Sequence, residues 1–176
     1  LQSAVEGLVQ QHDALRSRYE LAGGEWKQLI VGLSDVEHLL SVDWIDLSDV
    51  AVDEQAQAIE RRADEIQRSL DIQAGPLLRA AYLALGAGKG GRLLLVIHHL
   101  AVDGISWRIL VEDLWRGYAQ ALQGQEVNLG AKTSSYRQWA EQLAAYAHSQ
   151  AVEGELDYWL ESVEMAYRHG WDGLPI

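Results

Sequence analysis

An α/β fold with a mixed sheet is what this sequence predicts, and three observations carry it. Apolar residues recur at helical spacing in several segments. Short apolar runs of strand length lie between them. Two glycine-rich turns, Ala22-Gly23-Gly24 and Gly86 to Gly91, join neighbouring runs into hairpins. Strands interleaved with helices in this way argue for an α/β sandwich.

The elements follow in order. Leu1, Val5, Leu8, Val9 and Leu15 predict an amphipathic helix over residues 1–14. Leu15 to Glu20 reads as a strand, with Trp26 to Val31 as its hairpin partner. Leu39 to Ile45 reads as another strand, and Asp46, Ser48 and Asp49 then offer helix-start chemistry. In the helix that follows, Val52, Ala56, Ile59, Ala63, Ile66 and Leu70 alternate steps of four and three, as a core face does. Glu60, Arg61, Arg62, Asp64 and Glu65 are its solvated side. Pro76 breaks the chain before a strand over Leu77 to Leu85. The Gly86–Gly91 loop contains Lys89 but lacks phosphate-loop spacing and precedes no helix, so it reads as a hairpin turn. Leu93 to Ile97 is a continuous apolar run, the mark of a strand buried on both faces, and it ends on His98. Ile105, Ile109, Leu110, Leu114 and Tyr118 predict a helix to about Leu122, and residues 123–134 a polar loop. Tyr136, Trp139, Ala140, Leu143 and Ala147 mark a further helix, and Leu156, Trp159, Leu160 and Val163 a last one.

Composition narrows the function classes. The 176 residues suit one domain, and 48% hydrophobic against 23% charged residues is enough apolar material for a core. The net charge of −12, from 26 acidic and 14 basic residues, repels phosphate backbones and disfavours nucleic-acid binding. With no cysteine, disulfides, thiolate catalysis and cysteine-held metals are excluded together, which fits a reducing compartment. No apolar run is long enough to span a bilayer and no secretory leader is visible, so a cytoplasmic protein is expected. There is no Phe and one Met against seven Trp and seven Tyr, and Leu1 already lies inside a helical pattern. The chain therefore reads as an incomplete piece of something longer.

The chemistry-bearing residues cluster where the apolar run stops. A buried strand that opens into a loop and then a helix is a common place for a site in α/β folds. His98 and His99 on extended backbone point to opposite sides, so only one faces a given cleft. An imidazole titrates near neutral pH and takes and returns protons, which suits a general base. Asp103 lies four residues beyond His99, near enough for a tight turn to bring it back under the site. It would either orient the imidazole or brace the loop through an arginine. Gly104 would permit a turn or a close helix approach that a Cβ would block. The plainer alternative is a histidine satisfied within the core. Zinc is disfavoured, since adjacent histidines do not chelate one ion easily and no third ligand is spaced for it.

His98-His99-Leu100-Ala101-Val102-Asp103-Gly104 resembles the HHxxxDG signature shared by condensation and epimerization domains of non-ribosomal peptide synthetases and by chloramphenicol acetyltransferase-like enzymes. The flank Ile105-Ser106-Trp107-Arg108-Ile109-Leu110, followed by Glu112-Asp113-Leu114, resembles the epimerization subgroup. His12-Asp13-Ala14-Leu15-Arg16 resembles the upstream motif of the superfamily. Lys132 to Ser135 with Trp139-Ala140, then Tyr158-Trp159, resembles the later stretch of epimerization domains. These matches run from residue 12 to residue 159 in the family's order.

The resemblance implies a chloramphenicol acetyltransferase-like two-layer sandwich, with residues 1–176 as the N-terminal lobe of a two-lobed, V-shaped domain. The first strand and the C-terminal lobe would be missing. His99 would be the catalytic base, His98 mainly structural, and Gly104 a point of close passage for the substrate arm. Asp103 would form a buried ion pair with Arg16, fixing the loop. Read without the resemblance, Arg16 is an exposed strand charge and Asp103 a helix cap. The implied reaction is Cα epimerization, from L to D, of an aminoacyl or peptidyl thioester. Its substrate would arrive on the 4'-phosphopantetheine of a neighbouring peptidyl carrier domain, with no intrinsic cofactor and no metal. Inversion removes a proton on one face and delivers one on the other, so a second acid/base group, a glutamate of the other lobe, is expected. The piece alone would then be incompetent. The alternatives are a condensation domain joining two carrier-bound substrates and a non-catalytic carrier-docking module.

Overall fold

The computed structural model describes residues 1–36 and 40–169 and divides the chain into two compact units, Leu1–Lys132 and one beginning at Thr133. In the first unit, α1 (Gln2–Gln11) buries Ala4, Val5, Leu8 and Val9, the stripe its spacing predicts. A 3-10 turn over Asp13–Arg16 follows, so Leu15 and Arg16 precede the strand expected to contain them. β1 (Ser17–Ala22) and β2 (Glu25–Ile30) then pair antiparallel from Ser17↔Ile30 to Ala22↔Glu25. Gly23 and Gly24 close that hairpin at φ 64° and 85°, the left-handed backbone that glycine adopts without strain.

β3 (Val42–Asp46), β4 (Leu78–Ala84) and β5 (Gly91–Ile97) form a separate sheet in the order β3-β4-β5. β3 runs parallel to β4 and β5 antiparallel, which makes the sheet mixed as expected. Leu39, where the β3 strand was expected to begin, lies outside the described residues. α2 (Gln55–Arg68) crosses from β3 to β4, and α3 (Ser106–Leu122) follows β5.

The central strand β4 positions everything else. Leu78 and Ala80 face a core built from α1, α3, Leu15 and Val102. Leu83 points the other way, into a smaller cluster with Leu47 and Ala58 of α2. Helices therefore cover both faces of the sheet at β4. Close approach of α1 to α3 depends on Gly117, where a Cβ would lie 3.5 Å from the Ala4 Cα and 3.0 Å from Val127.

Two burial expectations fail, each for a definable reason. β5 is not buried on both faces: residues 94–97 are half-buried, and Leu93 is exposed beside Tyr82, its partner in register. Leu93 shares a sheet face with its register partners Tyr82 and Trp44, and between that face and α3 lies an open groove of about 890 Å³ lined also by Trp107 and Trp115. Trp44 and Tyr82 lean on one another there, their ring centroids 4.5 Å apart. In α2, Val52 and Ala56 are exposed, because the helix begins at Gln55 and turns that residue inward. The Gln55 amide donates to the carbonyls of Leu47, Val50 and Leu85, holding the loop after β3 to the end of β4.

The second unit is helical: α4 (Tyr136–Ala147), the short α5 (Gln150–Glu153) and α6 (Leu156–His169). Ser135 caps α4 by accepting from the Gln138 N–H at 3.1 Å, and Gln138 Oε1 accepts from the Ser135 N–H at 3.0 Å. No residue of α4 is buried. Among the described tryptophans only Trp107 is half-buried; Trp26, Trp44, Trp115, Trp139 and Trp159 are all more than half exposed. No described helix is long and apolar enough to cross a membrane.

Candidate functional site

β5 delivers His98 to the end of the sheet. The His98 N–H donates to the Leu77 carbonyl at 2.9 Å, one step beyond the last ladder pair, Leu78↔Ile97. The chain then reverses: the Ala101 N–H donates to the His98 carbonyl at 2.8 Å, closing a four-residue turn with His99 and Leu100 at its corners. His98 is half-buried, and its Nδ1 accepts the Leu100 N–H at 3.2 Å. That places the proton of a neutral His98 ring on Nε2.

His99 is exposed and has no hydrogen-bond partner among the described residues. One histidine held and one free is the division the sequence predicts, although a turn produces it rather than the alternation of an extended strand. Beyond the turn, Val102 is buried in the main core and pins the loop from inside.

The expected Arg16–Asp103 ion pair is not formed. Asp103 is exposed at the start of α3, where Oδ1 accepts the Ser106 N–H at 2.7 Å and the Ser106 hydroxyl. Those two bonds, the hydroxyl first, hold its carboxyl below the usual carboxylate range. Arg16 is buried, and its guanidinium donates to the carbonyls of Val9, Gln10 and Val31 and to Asp13 Oδ1 at 2.7 Å. The cause is local. Residues 13–16 form a 3-10 turn directly after α1, which folds the arginine back over the helix's last carbonyls and puts Asp13 one turn away. Gly104 also differs from expectation: its φ is not positive, and a Cβ there would meet nothing within 4 Å.

What the structure does bring together is the part of the resemblance carried by residues 12–132. His12 Nε2 lies 2.8 Å from Asp113 Oδ2 of α3, and Asp113 Oδ1 lies 3.4 Å from Arg116. Lys132 Nζ donates to Asp13 Oδ1 at 2.6 Å. Burial raises the Asp13 pKa, but the hydrogen bonds from Lys132 and Arg16 outweigh it and hold the carboxyl below its ordinary value. Ser106 ties Asp103 to α3, and Trp107 packs on the main core. Each of these motif residues therefore has a structural task in the first unit.

Sequence reasoning missed Tyr19. Its hydroxyl donates to the Leu100 carbonyl at 3.1 Å, and its own N–H donates to the Ile72 carbonyl at 2.8 Å. The alternation that marks β1 as a strand carries no signal for so distant a contact. No group of three or more His, Asp or Glu side chains that would hold a metal ion occurs among the described residues.

A family model described as the condensation domain matches residues 1–169. Among curated proteins, a linear gramicidin synthase polypeptide of Brevibacillus parabrevis is 48% identical over 169 residues, covering 96% of this chain and 3% of that protein. Tyrocidine synthase 1 of the same organism is 40% identical over 164 residues, covering 93% of this chain and 14% of that one. Among solved structures, the epimerization domain from the third module of tyrocidine synthetase B matches with a TM-score of 0.80 and 41% identity. That match covers 90% of this chain and 35% of the other, so the chain spans about a third of that domain and a small part of each synthetase.

Proposed function

Because the chain belongs to the condensation-domain family, with that family's chloramphenicol acetyltransferase-like α/β fold, we propose that it is part of a peptide-synthetase domain that epimerizes a carrier-bound aminoacyl or peptidyl thioester. The observation that carries this reading is His99, exposed and unbonded on a turn closed by its own bonds and tied to β1 through Tyr19, in a chain that resembles a solved epimerization domain at 41% identity.

The substrate is presented by the 4'-phosphopantetheine arm of a peptidyl carrier domain in the cytoplasm. The thioester acidifies its Cα–H because the electron pair left behind delocalises onto the carbonyl oxygen as an enolate. His99 takes that proton. Reprotonation on the opposite face restores the C–H bond with inverted configuration and no net change in atoms or electrons. One imidazole reaches one face, so the second proton comes from another acid/base group, which the resemblance places on a glutamate of a second lobe. His98 holds the turn, while Asp103, Gly104 and Arg16 serve the scaffold and the passage of the arm.

A synthetase domain that contains this chain, supplied with carrier loaded with an L-aminoacyl thioester in deuterated water, tests the reading. Deuterium at Cα and a mixture of L and D residues are expected, and His99→Ala is expected to lose on the order of 10²–10⁴-fold in rate. Wild-type exchange in His99→Ala would overturn the role. A second reading, condensation of two carrier-bound substrates, is favoured by the description of the family model itself. Peptide-bond formation between two loaded carriers, without Cα exchange, would select it.

A further inference from the structure

We propose that Tyr19 is a positioning residue for His99, an inference that rests on the reading of His99 as the base. The turn that carries His99 is shaped by two local bonds, Ala101 N–H to the His98 carbonyl and Leu100 N–H to His98 Nδ1. Both lie within the turn, so they fix its shape but not its place. The Tyr19 hydroxyl to Leu100 carbonyl bond, at 3.1 Å, is the one hydrogen bond among the described residues that joins residues 99–104 to a distant element.

Tyr19 is well suited to that task. It sits on β1 in register with Gln28, its N–H is tied to the Ile72 carbonyl, and the preceding Ser17 and Arg18 are buried. The phenol therefore projects from a fixed base. With both polar groups of the Leu100 backbone occupied, the peptides on either side of that residue resist rotation, and the Cα of His99 cannot swing. Catalysis by a positioned base is steep in displacement, and an ångström costs about 10²-fold. Loss of one exposed tether should permit part of that.

The test compares wild type, Tyr19→Phe and His99→Ala in the synthetase domain that contains this chain, with L-aminoacyl-loaded carrier as substrate. Hydrogen exchange at the Leu100, Ala101 and Ala80 amides is followed in parallel. Tyr19→Phe should lower kcat on the order of 10-fold at unchanged KM, speed exchange at Leu100 and Ala101, and leave buried Ala80 as it was. An unchanged kcat in Tyr19→Phe while His99→Ala is inactive overturns the positioning role and leaves the base intact. A raised KM alone, a lower kcat without faster exchange at Leu100, or faster exchange at Ala80 also overturns it. Full turnover by His99→Ala overturns the catalytic reading itself.

Discussion

His12 and Asp113, 101 positions apart in sequence, meet at 2.8 Å through Nε2 and Oδ2, with the carboxylate largely shielded from solvent. The pair joins the end of α1 to the middle of α3, and Asp113 also faces Arg116 at 3.4 Å. Asp113→Ala removes both contacts and strands the His12 ring. A loss of about 1–3 kcal/mol is expected, measured as a lower urea midpoint. His12→Ala, which leaves Arg116 to Asp113, should cost less.

Arg16→Ala should destabilise more than Asp103→Ala. The arginine satisfies three backbone carbonyls and the Asp13 carboxylate from a buried position, and its loss should cost about 2–4 kcal/mol. Asp103 is exposed, and its carboxylate caps the start of α3 chiefly through Ser106. Equal urea midpoints for the two variants would contradict this division.

Acid sensitivity should trace in part to Asp13. Its carboxyl is held below the ordinary value in the folded chain, so the unfolded chain binds the proton more readily. The stability it contributes is fully present above about pH 4 and is lost as pH falls through the lowered folded value. Lys132→Met removes one of the groups that hold Asp13 down. Its urea midpoint should start lower and fall less between about pH 5 and pH 3 than that of wild type.

Gln55→Leu fills similar space but withdraws an amide donor from the carbonyls of Leu47, Val50 and Leu85. The Leu47 carbonyl keeps the Val50 N–H, but the Val50 and Leu85 carbonyls lose the Gln55 donor, at a cost of about 1–3 kcal/mol. Differential scanning calorimetry is the check, and a melting temperature equal to that of wild type would sink the idea.

Periodicity was enough to read α1, the β1–β2 hairpin, α3 and the turn between β4 and β5, because each is governed by neighbours within a few residues. It was not enough for α2, where a glutamine turns inward to serve three carbonyls while Val52 faces water. The apolar run of β5 reports side-chain chemistry and not how closely the sheet face beneath α3 is covered, so a strand beside an open groove reads as a buried one. At the site, the sequence anticipated one histidine held within the fold and one left facing out, as His98 and His99 are. The Arg16–Asp103 pair failed because a single 3-10 turn, invisible to an apolar pattern, aims the arginine at α1 instead. Tyr19 and the His12–Asp113 pair are long-range contacts, 81 and 101 residues apart, that no window of sequence contains.

The placement of the tryptophans decides how this chain can be watched. Five of the six described indoles already stand more than half in water in the folded chain, so its emission should be red-shifted before any denaturant is added. Unfolding then changes the surroundings of Trp107 far more than those of the others. Among the described tryptophans, fluorescence would register one reporter against five bright bystanders, and a flat trace would say nothing about whether the sheet had melted. Peptide-bond circular dichroism, which follows the backbone directly, is the signal to which the stability measurements should be tied.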